Sequence, residues 1–450
     1  MDKLKNAGAM LIIVIVVAAT LSCGVFKSTA PSTPTNSPVV ITPVVPLGIE
    51  TVSPSDSPES QSVVEEPQPI LTVAYIKEGN VWLWRAGDST APVTDIGNVL
   101  RLALSSDGEY VAFEHGIDDY HSELWVVNTE THEQQMCVSV DEFNNYDRDK
   151  WLENAKSLVP YHFDFVPSTH ILAYNTRQTF EGPGLALLDD LRLVNIDTNE
   201  KQTLLPSGQG GEFVYSPNGK QIAIISPTTI SLVNSDGSNR REVLTYDLVS
   251  TYSEYSYYAL PIWAADSSSL RVVIPPADPL GMPQQATTLW SIPTDGNSAI
   301  QLGSIMVAPF GSVENAFSPD FSHVIYTSIP MESEQKQLEL HLAEPSGAND
   351  VLLTSNQYVA FYGWVPDSQH YVIYIGEPIT IQLGDLNKNF RPLIEDTNGV
   401  GNVTWVSSNE FLFIKSSDGF WELHLGALEG ENRLIDSITG SPTLYDYVFK

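Results

Sequence analysis

Few side chains in this sequence have a type and spacing that could carry chemistry. The segment 114 to 121 combines two histidines with three carboxylates, all of them residue types that bind metals. The spacing matches no established metal motif, so the pattern favours a solvated loop over a metal site. We therefore keep His115, Asp118 and His121 as candidate binding residues and predict neither a metal nor a cofactor.

A second polar segment, Asn145-Tyr146-Asp147-Arg148-Asp149, alternates oxygen-bearing side chains as calcium loops do. It lacks the central glycine and the downstream glutamate of such a loop. The sequence therefore predicts a polar turn that leads into a short helix near Trp151 to Leu158.

Tyrosines crowd the segment 246 to 258, where few aliphatic residues accompany them. Tyrosine is an amphipathic contact residue that recognition surfaces favour. Packing against neighbouring structure is an equally good explanation of the same pattern. The candidate binding residues from this segment are Tyr252, Tyr255, Tyr257 and Tyr258.

Recognised catalytic motifs are absent from the sequence. It contains no Gly-x-Ser-x-Gly elbow, no His-Glu-x-x-His pair, no phosphate-binding glycine loop and no Cys-x-x-Cys. Cys137 lies in an apolar run, which is typical of a packed thiol and not of a nucleophile. On these grounds we predict that the chain is not an enzyme and assign no catalytic residue.

The charge and composition of the chain limit the classes of molecule that it can bind. The chain has 450 residues with 22 basic and 55 acidic side chains, a net charge of −33. Nucleic acid and anionic lipid surfaces are excluded as partners because both require clustered basic residues. An apolar content of 42% supplies a sizeable core and excludes global disorder, and two cysteines cannot form a disulfide framework.

The N-terminus has the organisation of an export signal. Lys3 and Lys5 precede an apolar stretch that runs from Ala7 to Leu21 and is short for a membrane-spanning helix. The segment 18 to 24, Ala-Ala-Thr-Leu-Ser-Cys-Gly, resembles a bacterial lipobox, although Thr20 stands where that pattern has leucine. The resemblance implies that residues 1 to 23 are a lipoprotein signal and that Cys23 is lipidated, with an ordinary secretory signal or an uncleaved anchor as the alternative.

Residues 24 to 69 form a linker of biased composition, with 9 prolines and 13 serines or threonines. Such a segment cannot bury a core, and we expect it to be disordered and extended. Together with a lipidated Cys23, it would tether the following domain to the cell membrane, facing the periplasm or the cell exterior.

From residue 70 to 450 one unit of four short strands recurs. Its first turn appears seven times, and the turn positions, counted from Asp107, are spaced 61, 50, 48, 54, 47 and 41 residues apart. Proline, Asp or Asn, and glycine supply the dihedral angles that a reversing turn needs. The strands that follow the turns are apolar, as in Gln221-Ile222-Ala223-Ile224-Ile225. Short strands repeated at this period indicate a β-propeller.

The repeated turns resemble the WD40-like repeat of the TolB family, which is related to the propeller that precedes the peptidase domain in prolyl oligopeptidases and dipeptidyl peptidases. The closest copies of its Trp-Ser-Pro-Asp-Gly turn are Tyr215-Ser216-Pro217-Asn218-Gly219 and Phe317-Ser318-Pro319-Asp320. The resemblance implies the fold of residues 70 to 450 and little about function, because the repeated residues build blades.

The ends of the repeat region predict how the ring closes. Residues 71 to 95 supply three strands without an innermost one, and residues 443 to 449 form a spare strand. Pairing the two ends completes an eighth blade and leaves no open sheet edge. We therefore predict an all-β, eight-bladed, monomeric propeller, with seven blades as the alternative if the irregular unit around Phe165 fails to form its own blade.

Loop lengths predict which face of the propeller binds a ligand. The long segments fall in the second-to-third-strand loops and in the connections between blades, which share one face: 115 to 121, 139 to 160, 177 to 189, 246 to 258, 275 to 287 and 329 to 337. The leading hypothesis is a non-enzymatic module that binds an envelope protein, peptide or glycan there. The alternative is a catalytic propeller acting on polysaccharide or peptide, and convergent acidic or histidine side chains at the channel mouth would favour it.

Overall fold

The computed structural model describes residues 70 to 449 except 183, 310, 312 to 314, 331 to 336, 396 to 398, 418 and 440 to 443. The predicted signal, Cys23 and the linker 24 to 69 lie outside the described residues, as do Thr443 and most of the segment 329 to 337. Within the described ranges, no helix is long and apolar enough to span a membrane.

Eight antiparallel sheets form a ring, which confirms the predicted all-β propeller of eight blades. Blade 1 contains β1 to β3 and β32, with bounds Leu71–Lys77, Asn80–Arg85, Ala91–Pro92 and Tyr445–Phe449. Blade 2 contains β4 to β7, with bounds Val99–Leu104, Tyr110–Gly116, Ser122–Asn128 and Gln134–Val138. Blade 3 contains β8 to β12, with bounds Ser157–Phe165, Ile171–Thr179, Ala186–Leu187, Leu191–Asn195 and Lys201–Leu205.

Blades 4 to 6 follow in chain order. Blade 4 contains β13 to β16, with bounds Glu212–Tyr215, Gln221–Ile225, Thr229–Asn234 and Arg241–Thr245. Blade 5 contains β17 to β20, with bounds Ile262–Trp263, Ser269–Ile274, Thr287–Pro293 and Ile300–Ile305. Blade 6 contains β21 to β23, with bounds Val324–Ser328, Leu338–Ala343 and Val351–Asn356, and a single bridge from Phe317 to Val324 takes the place of its innermost strand.

Blades 7 and 8 complete the ring. Blade 7 contains β24 to β27, with bounds Val359–Trp364, His370–Ile375, Thr380–Asp385 and Phe390–Pro392. Blade 8 contains β28 to β31, with bounds Val400–Trp405, Glu410–Ser417, Phe420–Ala427 and Arg433–Thr439. The unit around Phe165 forms its own sheet in blade 3, so the seven-blade alternative is wrong.

The C-terminal strand closes the ring as the sequence predicts. Strand β32 pairs antiparallel with β1 in a register that runs from Leu71 opposite Phe449 to Tyr75 opposite Tyr445. It therefore supplies the innermost strand of blade 1, and the first and last parts of the propeller share one sheet.

The core lies between the blades and not within any one of them. Eight clusters of buried apolar side chains in the described chain each combine residues of two neighbouring blades. Side chains alternate between the two faces of a strand, so Val111 and Phe113 pack toward blade 1 while Ala112 packs toward blade 3. Because both faces are buried, the central strands have the continuous apolar sequences seen above.

The short helix lies earlier in the chain than the sequence predicts. Helix α1 spans Val140–Asn145 and is followed by a 3-10 turn at Arg148–Lys150, whereas Ser157 already begins β8. Ser139 and Glu142 form a reciprocal capping box at its start, and Phe143 is fully buried. The prediction of a helix near Trp151 to Leu158 is therefore wrong, since capping and one buried anchor decide the position.

The repeated first turn is held by its own polar side chains. In blade 2 the Ser105 hydroxyl donates to Asp107 Oδ1 at 2.7 Å and accepts from the Tyr110 amide at 2.9 Å. Gly108 adopts a φ of 70°, in the left-handed region. Asp107 and its counterparts in other blades are thus structural turn residues.

Candidate functional site

Strands A to D of each blade are named from the central channel outward. The A–B and C–D turns lie on one face, here called the short-turn face. The B–C loops and the crossovers between blades lie on the other, the long-loop face. The A strands line the channel, so a residue at the start of an A strand lies where the channel opens on the long-loop face.

Four polar side chains converge at this opening between blades 3, 4 and 5. We call His162, Asp189, Glu212 and Tyr258 the mouth cluster. Glu212 is the first residue of β13, the A strand of blade 4, and His162 lies at a bulge in β8, the A strand of blade 3. Asp189 ends the B–C loop of blade 3, and Tyr258 lies in the crossover to blade 5.

His162 and Glu212 are neighbours across the interface between blades 3 and 4. His162 Nδ1 lies 3.5 Å from Glu212 Oε2, and both side chains are largely buried. The imidazole stacks on the Phe213 ring with a centroid distance of 4.5 Å. The His162 amide donates to Asn175 Oδ1 at 2.8 Å, and the Asn175 side chain donates to the Gly211 carbonyl at 2.8 Å. These contacts fix the relative positions of the two A strands.

Two glycines allow Asp189 to approach Glu212. A Cβ atom on Gly210 would lie 2.4 Å from the Asp190 backbone, and one on Gly211 would lie 2.3 Å from the Ile225 carbonyl oxygen. Gly210 therefore lets this crossover pass so close to the B–C loop of blade 3, and Gly211 lets it pass close to β14 of its own blade. Asp189 itself has a φ of 49°, in the left-handed region that aspartate adopts more readily than most residues.

The residue after Asp189 anchors the loop. Asp190 is fully buried and accepts from the Thr176 amide at 2.9 Å and from Arg192 Nε at 2.7 Å. Arg192 also reaches Asp147 Oδ2 at 2.8 Å and lies over the Tyr146 ring at 3.8 Å. Asp189 directly precedes this anchored residue and lies at the end of the loop.

Burial and neighbouring charge raise the pKa values of two members of the mouth cluster, Asp189 and Tyr258. Burial, followed by the charges of Asp190 and Glu212, raises the pKa of Asp189 to about 6. Burial also raises the pKa of Tyr258, with smaller contributions from the Asp189 and Glu212 charges. Asp189 Oδ1 and His162 Nε2 are buried and have no hydrogen-bond partner in the described part of the chain. A buried polar atom without a partner marks a place where a ligand can supply one.

His115, Asp118 and His121 do not converge on one point in the structure. Asp118 accepts hydrogen bonds from the His121 amide at 2.9 Å and from its Nδ1 at 2.8 Å, which closes a tight exposed hairpin. His115 instead belongs to β5 and contacts the Trp125 ring edge-on at 6.3 Å. Residues 117 to 119 are exposed, as the predicted solvated loop requires, whereas Glu114 and His115 belong to β5 and Glu114 is buried.

The tyrosines of the segment 246 to 258 divide into two groups. Tyr252 and Tyr255 are exposed, at 60% and 46%. Tyr257 and Tyr258 pack against the core cluster between blades 4 and 5. Packing therefore explains Tyr257 and Tyr258, whereas the recognition role of Tyr252 and Tyr255 stays a prediction. Leu248 to Ser256 line a shallow depression on the long-loop face.

Two other polar or reactive groups have structural roles. Asp147 accepts from Arg192 and, at 2.5 Å, from the Ser207 hydroxyl, so this carboxylate stabilises the blade and does not belong to a calcium loop. Cys137 is fully buried, and burial raises the pKa of its thiol to about 12. A thiol in that state is not a nucleophile at neutral pH, in agreement with the sequence prediction.

Sequence reasoning did not identify His162, Asp189 or Glu212. Two signals were available: Asp189 ends the long segment 177 to 189, and the pair Gly210-Gly211 directly precedes an A strand. Neither signal reveals that the two segments meet, because the contact joins different blades.

Comparison with known proteins gives the fold alone. The sequence matches no protein-family profile and no curated protein. A solved oligogalacturonate lyase in complex with manganese is 15% identical with a TM-score of 0.41, covering 66% of this chain and 79% of that one. A prolyl endopeptidase structure is 9% identical with a TM-score of 0.47, covering 78% and 50%. TolB from Acinetobacter baumannii is 13% identical with a TM-score of 0.32, covering 61% of each chain.

These findings contradict the prediction that the chain is not an enzyme. The lyase and the endopeptidase are enzymes, so the absence of a recognised motif is no ground for excluding catalysis. The convergent acidic and histidine side chains at the channel mouth are the feature that the catalytic alternative requires. At the level that these similarities support, the chain is a β-propeller similar to those of TolB and of propeller-containing enzymes.

Proposed function

We propose that this propeller acts on a polysaccharide by acid–base chemistry at the mouth cluster. The observation that carries the proposal is the pairing of Asp189, a buried carboxyl group with a raised pKa, with a second carboxylate, Glu212, on a neighbouring blade. A pair of carboxyl groups, one of which has a raised pKa, is the arrangement that glycoside hydrolysis uses.

Each residue of the cluster has a role in this proposal. Protonated Asp189 donates its proton to the glycosidic oxygen as the bond to the leaving sugar breaks. Glu212 accepts a proton from the water that attacks the sugar carbon. His162, between Glu212 and the Phe213 ring, positions the second carboxylate. The exposed Tyr252 and Tyr255 lie on the same face and offer aromatic surface for a long substrate.

The test compares the purified wild-type protein with the neutral isosteres Asp189→Asn and Glu212→Gln on a panel of polysaccharides. Each substitution should lower turnover about 10²–10⁴-fold, the usual contribution of general acid–base catalysis. Asp119→Asn is the matched control, because Asp119 is exposed on a B–C loop of the same face. Turnover that both mouth-cluster variants retain would refute the proposal, and peptide cleavage with the same dependence would assign a peptide substrate instead.

From the sequence alone we also propose that Cys23 is lipidated and that the linker 24 to 69 tethers the propeller to the cell membrane. An envelope polysaccharide would then be within reach of the long-loop face. Incorporation of labelled palmitate into wild type but not into Cys23→Ala would support the anchor. Equal labelling of both proteins would contradict it.

A further inference from the structure

A second cluster of ligand-type side chains lies on the short-turn face, opposite the mouth cluster. Asp107 and Glu109 come from the A–B turn of blade 2, and His170 comes from the equivalent turn of blade 3. One ligand atom from each of the three side chains lies within 4.8 Å of the other two. In the described part of the chain, these three residues form the one group of histidine, cysteine or carboxylate side chains with this spacing.

The histidine presents one ring nitrogen to the two carboxylates. His170 Nε2 lies 2.7 Å from Asp107 Oδ2 and 3.8 Å from Glu109 Oε2. Its other nitrogen, Nδ1, lies 3.0 Å from Asp197 Oδ1 in the C–D turn of blade 3. The Tyr110 ring meets the imidazole edge-on at 4.9 Å. The ring orientation is thus held from two further directions.

The repeated turn leaves one oxygen of Asp107 for another partner. Its Oδ1 atom accepts from the Ser105 hydroxyl at 2.7 Å and from the Glu109 amide at 3.0 Å. These two bonds fix the carboxylate, and its Oδ2 atom faces His170. The turn that builds the blade therefore also orients a ligand atom.

We propose that Asp107 Oδ2, Glu109 Oε2 and His170 Nε2 bind a divalent transition-metal ion, with Asp197 as the acceptor that orients the imidazole. A histidine that donates Nδ1–H to a carboxylate directs its Nε2 lone pair at a metal, and most metal-binding histidines are held in this way. Water completes the coordination, because Asp107 and Glu109 are 44% and 46% exposed.

The present distances require only small movements to accommodate the ion. Two atoms that bind Zn²⁺ at about 2.1 Å across a tetrahedral angle lie about 3.4 Å apart. The His170–Asp107 distance of 2.7 Å must therefore open and the His170–Glu109 distance of 3.8 Å must close, each by less than about 1 Å. One nitrogen and two oxygen ligands favour Zn²⁺ or Mn²⁺ over Ca²⁺ and Mg²⁺, which prefer oxygen alone.

The test is calorimetric titration of Zn²⁺ into the purified protein after removal of residual metal. Wild type should bind one ion in a saturable manner, and His170→Asn should abolish this binding. Asp197→Asn keeps all three ligands and should weaken affinity about 10–100-fold, the usual effect of losing an orienting partner. Melting temperatures measured with a chelator establish that each variant is folded, and Zn²⁺ should raise the melting temperature of wild type but not that of His170→Asn.

His370→Asn is the matched control, because His370 Nδ1 also contacts a turn aspartate, Asp367, at 2.7 Å in blade 7. That pair does not belong to any three-ligand group in the described residues, so Zn²⁺ affinity should be unchanged. Absence of saturable binding to wild type would overturn the proposal and leave His170 as the proton-sharing partner of the two aspartates. Equal Zn²⁺ affinity of wild type and His170→Asn would overturn it as well.

Discussion

The raised pKa of Asp189 predicts a specific dependence of stability on pH, which the substitution Asp189→Asn removes. Burial moves the pKa of this carboxyl group from 3.8 to about 6 in the folded protein. The native state therefore binds the proton more tightly than the unfolded state does, and the free energy of unfolding falls as the pH rises from about 4 to 6. About two pKa units correspond to a loss of up to about 3 kcal/mol.

The measurement is denaturant unfolding of both proteins at a series of pH values, followed by tryptophan fluorescence. The amide of Asp189→Asn does not ionise, so the variant should gain stability relative to wild type as the pH rises. The free energy of unfolding of the variant minus that of wild type should rise by up to about 3 kcal/mol between pH values of about 4 and 7. Above that range this difference should stay constant. Parallel pH profiles for wild type and variant would refute the idea that burial of Asp189 opposes its ionisation.

An exposed turn aspartate supplies a control with the opposite sign. Hydrogen bonds from Ser238 lower the pKa of Asp236. Its carboxylate therefore stabilises the folded state above the unfolded pKa, and this stabilisation is lost as the pH falls through the folded pKa. Asp236→Asn should lose stability relative to wild type at neutral pH and recover it in acid, the reverse of Asp189→Asn.

Three further predictions concern the site and the blades. If Asp189 is the general acid, turnover of a polysaccharide should fall about tenfold for each pH unit above about 6, and a pH-independent rate would contradict this role. Trp364→Phe removes the 2.9 Å hydrogen bond from the indole to the buried Ala316 carbonyl of the preceding blade. The substitution should lower the free energy of unfolding in denaturant by about 1–3 kcal/mol. An unchanged midpoint would show that this hydrogen bond contributes nothing to stability. Gly303→Ala places a Cβ atom 1.8 Å from a backbone oxygen of the β22–β23 turn, and it should lower the free energy of unfolding by about 1–3 kcal/mol. Gly401→Ala is the control: its Cβ atom meets no atom within 4 Å, so the melting temperature should be unchanged.

The blades could be predicted from sequence because the forces that form them are local and repeated. The Ser105 hydroxyl and the Asp107 carboxylate satisfy their own turn, so the same residue pattern recurs wherever that turn is needed. Ring closure was predictable because three strands at one end lacked the inner partner that the other end supplied. The helix was misplaced because Ser139 and Phe143, which fix it through a cap and a buried contact, do not belong to the repeat.

The mouth cluster could not be predicted because contacts between blades create it. Asp189 and Glu212 are separated by two strands of the blade, and their proximity depends on how closely one crossover passes a loop. That approach depends on Gly210, whose sequence signal is indistinguishable from that of an ordinary turn. The raised pKa of Asp189 is a consequence of burial, which no single-sequence pattern encodes.

Departure from the repeat distinguishes Asp189 from the carboxylates of the repeated turns. In the repeated turns, Asp266 and Asp320 accept backbone amides of their own turns, and these bonds help to lower the pKa of each carboxyl group. One oxygen of each of these carboxylates is therefore already occupied by its own turn. Asp189 has no counterpart among the repeated turns, and its buried oxygen finds no partner in the described residues. A ligand bound at the mouth of the channel would supply the hydrogen-bond partner that Asp189 Oδ1 and His162 Nε2 lack in the described residues.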